Sequence, residues 1–245
     1  MPRLALFVVL CLADTGLLAQ QISAGTLLPA MLDNNLESEK SKPGEQISAK
    51  LQQEALLPNG RTIKRLSKVL GHVVSTSRAA NGKDAAITVQ FDKIEIDKQT
   101  IPISAGLRAF ASMQQVYQAK QPVNPNGGYG TSVWDWNMRL IGGQGAFNGQ
   151  KIVKDQNGQV VAKIPQPGAV LGIPMPNAER GCGGAPATSP EQAFWVFSTD
   201  ACGIYDDEKI SLVTGIGGTN PGQITFTSPK EITIRGGSGW LLQVN

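Results

Sequence analysis

The sequence predicts a mainly β protein, a distorted β-barrel or sandwich with one short helix near residues 106–119. Three observations predict it. Apolar side chains recur at every second position in short segments, glycine (28) and proline (15) are plentiful, and only 17% of the 245 residues are charged. Short strands joined by tight turns use that composition, whereas long solvated helices need more charge. The length suits one large β domain with a real core.

The chain opens Met1-Pro2-Arg3 and continues as an apolar run from Leu4 to Ala13. One positive charge ahead of a hydrophobic stretch too short to span a bilayer is the pattern of a signal peptide. Residues 1–19 are therefore expected to be removed after Ala19, leaving residues 20–245 as a single β-rich domain with a loop-rich insertion at about 120–190. Leu10 is too bulky beside Cys11 for a lipoprotein signal, and no later stretch is apolar for long enough to cross a membrane. The expected location is outside the cytoplasm: in the periplasm, at the outer membrane or beyond it. Once Cys11 leaves, Cys182 and Cys202 remain, and an oxidising compartment predicts a bond between them. A bridge closing a loop of about 20 residues contributes roughly 3 kcal/mol.

Gln46 to Gln52 alternates, with Ile47, Ala49 and Leu51 on one face, and reads as a half-buried strand. Val69 to Thr76 reads as a second. Ile87, Val89 and Phe91 form a third, but the apolar phase then jumps to Ile94 and Ile96. A bulge near Asp92-Lys93 restores the phase by adding one residue. Thr100 to Ile103 stays extended, with Pro102 at an edge or a strand start. From Leu107 the residues Leu107, Phe110, Met113 and Tyr117 fit a helix over 106–119, and they also fit a longer strand. Pro122 to Ser132 is a loop. Asn157-Gly158 between two β-rich runs predicts a hairpin over 152–164, and 172–190 reads as loop. Phe194 to Phe197, Ile210 to Thr214, Ile224 to Thr227, Glu231 to Arg235 and Trp240 to Val244 read as five short strands separated by turn residues.

A spaced set of residues adds a resemblance: Ala24-Gly25-Thr26 with Pro29 and Leu32, then Pro43-Gly44, Asn59-Gly60, Ser67 with Gly71, Phe91-Asp92-Lys93-Ile94 and Ile101-Pro102-Ile103. The pattern resembles the TrbI-like C-terminal β-barrel of conjugal-transfer and type IV secretion channel scaffolds over residues 22–110, with 232–244 as the closing strand. The resemblance implies a short, distorted barrel used for protein contacts in the envelope. Where that family reads Ile-Pro-x-Gly-Ser, this chain has Ile63, Lys64, Arg65, Leu66 and Ser67. The family's inner-membrane anchor and proline-rich linker have no counterpart here, so the resemblance implies the fold ahead of the secretion role.

Candidate chemistry is sparse. His72 is the sole histidine, too few for a His-rich metal site. Gly236-Gly237-Ser238-Gly239 precedes a strand, whereas a nucleophile elbow precedes a helix. Gly215 to Gly222 runs into a strand and reads as a joining loop, not a phosphate cradle. Asp206-Asp207-Glu208 lacks calcium-loop spacing and reads as a solvated turn. No Lys or Arg run exceeds two and the net charge is +3, so no nucleic-acid or anionic-membrane footprint is expected and Lys64-Arg65 reads as a solvated edge. Tyr129, Trp134 and Trp136 are the candidate binding surface, suited to sugar rings or a partner chain; the competing reading makes the two Trp core residues of a strand over 133–141. Trp195 and Trp240 read as core. Together these point to a non-catalytic envelope module acting on envelope proteins, without cofactor or metal. The alternative is a carbohydrate or peptidoglycan-binding module.

Overall fold

The computed structural model describes residues 22–57, 60–120, 137–141, 143–146, 152–154, 160–163, 173–174, 193–198, 201–205 and 209–245. The leader, Asn59, Tyr129, Trp134, Trp136, Asn157-Gly158, Cys182 and Asp206 to Glu208 lie outside the described residues.

Nine strands form the main sheet: β1 (Leu27–Leu32), β2 (Gln46–Leu51), β3 (Lys68–Ser77), β4 (Ala85–Ile96), β5 (Gln99–Ala111), β6 (Gly203–Tyr205), β7 (Ser211–Val213), β8 (Gln223–Ser228) and β9 (Gly239–Val244). Their order is β6-β5-β9-β1-β2-β3-β4-β8-β7, and β4 also pairs with β5. That extra pairing closes β5, β9, β1, β2, β3 and β4 into a six-stranded antiparallel barrel. Closure removes sheet edges. Beyond the barrel, β8 and β7 continue from the first half of β4, and β6 runs parallel to the end of β5.

The closing strand β9 pairs with β1 on one side and β5 on the other. In the middle of the barrel, β2 buries Ile47, Ala49 and Leu51, as the alternation predicts. The interior centres on Trp240, whose ring meets Phe91, Phe110 and Phe226 edge-on at centroid distances of 5.6, 5.7 and 5.4 Å. Its indole N–H donates to Ser238 Oγ at 2.9 Å, which satisfies the one polar atom of that side chain.

A second, smaller core lies on the outside of the barrel, where Leu27, Ala109, Ala111 and Leu241 meet Val116, Phe194, Val196 and Phe197. It explains why the last seven residues of β5 are all buried and lose the alternating signature: both faces are covered. The helical spacing over 106–111 is therefore a two-sided strand, and the helix, α1, spans Met113–Ala119 only. Ser112 caps it by accepting from the Gln115 N–H at 3.3 Å. A second correction falls in the same cluster. Phe194 to Phe197 is no single strand but a tight hairpin in which Phe194 pairs with Phe197. Trp195 turns the corner with φ of 59° and is half-buried.

Arg108 is 2% exposed, and its Nε–H donates to the Ala201 carbonyl at 3.1 Å, tying the segment before β6 to β5. The hairpin expected over 152–164 is present as Ile152–Lys154 paired with Val160–Lys163. Part of the strand expected over 133–141 is present too, as Asn137–Leu140 paired with Gly143–Ala146. Pro102 is exposed within β5, in the half of the strand that pairs with β4 and not with β9.

Candidate functional site

The outer face of β2, β3, β4 and β8 carries a row of polar side chains. Register places Gln46 opposite His72, His72 opposite Gln90, and Gln90 opposite Gln223. Their chain neighbours Ile47, Val73, Val89 and Ile224 are buried in the barrel, so the period of two turns all four polar side chains outward. The result is a row of three amides and one imidazole across four strands, offering hydrogen-bond donors and acceptors.

The bulge gives this row its carboxylate. In the β3–β4 ladder Leu70 faces Lys93 and Gly71 faces Phe91, which leaves Asp92 as the extra residue. The β4–β5 register shifts at the same place. Asp92 Oδ2 lies 3.0 Å from His72 Nδ1, with both side chains about one-third exposed. Gly71 makes the approach feasible, because a Cβ there would sit 2.1 Å from the Gln90 carbonyl oxygen. A carboxylate on Nδ1 fixes the orientation of the imidazole. Among the described residues Asp92 is the one hydrogen-bond partner of His72, so the pair is positioned to bind and orient.

At one end of the barrel two turns meet. Arg61 Nη2 and Lys64 Nζ reach the Asp97 carboxylate at 3.3 and 3.1 Å. The hydrogen bond and charge of Lys64, with those of Arg61 behind them, hold the Asp97 carboxyl below its usual value of 3.8. Asp97 and Lys98 both have positive φ, 48° and 67°, the geometry of a two-residue hairpin turn. Across from it Leu66 has φ of 70° and is 57% exposed. An L-residue other than glycine in the left-handed region costs on the order of 1 kcal/mol.

Of the residues singled out from sequence, Tyr129, Trp134, Trp136 and Cys182 lie outside the described residues. Cys202 is half-buried just before β6, and its N–H donates to the Tyr205 hydroxyl at 3.0 Å. Gly215 to Gly222 is the loop joining β7 to β8. Sequence reading missed the His72–Asp92 pair, although the phase jump at Asp92 marked one of its partners. No protein-family model matches the chain, and no curated protein matches it either.

Proposed function

We propose that the chain is an exported, non-catalytic module that works in the cell envelope by contacting other proteins, on a barrel of the TrbI-like kind. The observation that carries this reading is the outward row Gln46, His72, Gln90 and Gln223 with Asp92 at its bulge. A partner's main chain or amide side chains can pair with the amides of such a row. Closure of the barrel leaves that face rigid, so binding orders few side chains. The Cys182–Cys202 bond belongs to this proposal, since export would place both thiols in an oxidising compartment.

Photocrosslinking from position 90 in intact cells tests it. One discrete envelope protein, whose binding to the purified chain falls at least tenfold in Gln90→Arg, is the expected result. Diffuse crosslinking, or turnover of any hydrolysable substrate that disappears in His72→Ala, rejects the reading. A saturable tryptophan-fluorescence shift with cell-wall sugars, lost in Trp134→Ala with Trp136→Ala, favours carbohydrate binding instead.

A further inference from the structure

We infer that the turn at Lys64 to Ser67, together with the adjoining Asp97-Lys98 turn, is a docking tip for an anionic phospholipid surface. No cationic run in the chain is longer than two residues, yet the fold brings Arg61 and Lys64 onto the Asp97 carboxylate, so that the turn carrying Lys64-Arg65 adjoins the turn carrying Lys98. Lys64 is 73% exposed even while paired, and Arg65 and Lys98 are exposed. In these two turns cations outnumber carboxylates, although the whole chain is near balance.

Leu66 follows Lys64-Arg65 in this turn and is 57% exposed. It is one of four large apolar side chains exposed among the described residues, and the one of the four with a left-handed backbone. Glycine would relieve that conformation, so the leucine is held at a cost to folding, and an observed outlier of this kind points towards use. The Leu66 N–H donates to the Leu51 carbonyl at 2.8 Å and the Ser67 N–H to the Lys64 carbonyl at 3.2 Å, and both hold the turn in place. An exposed leucine in a turn, directly after two exposed cations, needs no complementary cavity from its partner. A bilayer supplies that geometry, with headgroup phosphates for the cations and acyl chains for the leucine.

The test is site-specific. In the full chain, Leu66→Trp is compared with Val213→Trp, a substitution at an exposed position on β7, in the presence of vesicles of brominated phosphatidylglycerol and phosphatidylcholine at a 3:7 ratio. The added fluorescence at position 66 should be quenched and that at position 213 spared, and quenching should vanish with phosphatidylcholine alone or in 0.5 M salt. Lys64→Glu with Arg65→Glu should weaken vesicle affinity by more than tenfold, since each cation near an anionic surface contributes about fivefold. Leu66→Gly should fold at least as stably and bind about tenfold more weakly. Equal quenching at both positions, affinity unchanged by the charge reversal, or binding of soluble polyglutamate in place of vesicles overturns the inference. The photocrosslinking test at position 90 addresses a different face, so the two proposals fail separately.

Discussion

His72 Nδ1 lies 3.0 Å from Asp92 Oδ2 because Asp92 is the extra residue of a bulge and His72 follows the glycine that lets the bulge close. Both side chains are about one-third exposed, so the pair is a modest contributor to stability. A double-mutant cycle of His72→Ala and Asp92→Ala, measured by urea unfolding at neutral pH, is expected to give a coupling of about 1 kcal/mol or less. A coupling above about 3 kcal/mol would mean that the pair sits in a far drier site.

Gly71 is held by packing. A Cβ there would meet the Gln90 carbonyl oxygen at 2.1 Å, and backbone cannot step aside as a side-chain tip can. Gly71→Ala is expected to cost at least about 3 kcal/mol, by the overpacking mechanism. At Gly60, where φ is 78° and the space is open, the same substitution meets only backbone strain, about 1 kcal/mol. Midpoints of urea denaturation compare the two.

Trp240 joins three phenylalanines from β4, β5 and β8 in one aromatic cluster. Trp240→Ala is expected to destabilise by about 3–5 kcal/mol and to remove most of the near-ultraviolet circular dichroism. Retention of that signal would show that the aromatic packing does not depend on its central ring.

Arg108 carries a buried guanidinium against the Ala201 carbonyl. Arg108→Ala leaves that acceptor without this donor, and a loss of about 3 kcal/mol is expected. Hydrogen exchange should speed up first around 194–205 and α1, ahead of the barrel strands.

The Asp97 carboxyl is depressed by Lys64 and Arg61. A lowered folded-state value means that the ion pairs contribute above the unfolded carboxylate range, near 3.8, and that their contribution fades as pH falls through the folded value. Lys64→Ala should move the Asp97 titration upward, and carbon-detected NMR of the side chain reads it. A downward shift would contradict the assignment of cause.

Period-two alternation in 46–52 and 69–76 was enough to place β2 and β3, because each has one dry face and one wet one. The phase jump from Phe91 to Ile94 was enough to place the bulge. Those signals are local. The hairpin at Asp97-Lys98 left no Asn-Gly signature, and its contact with Arg61 and Lys64 comes from another turn.

By itself, then, the chain determined its class, the positions of β2 and β3 and the place where β4 must bend, since each depends on side chains within a few residues of one another. Only the tertiary structure decided that β4 reaches β5 to close the barrel, that the end of β5 is covered on both faces, and that His72 meets Asp92. It also brought Lys64, Arg65, Leu66 and Lys98 to one end of the barrel. The His72–Asp92 and Lys64–Asp97 pairs join residues 20 or more apart along the chain, and hydrophobic pattern carries no record of which strand lies next to which.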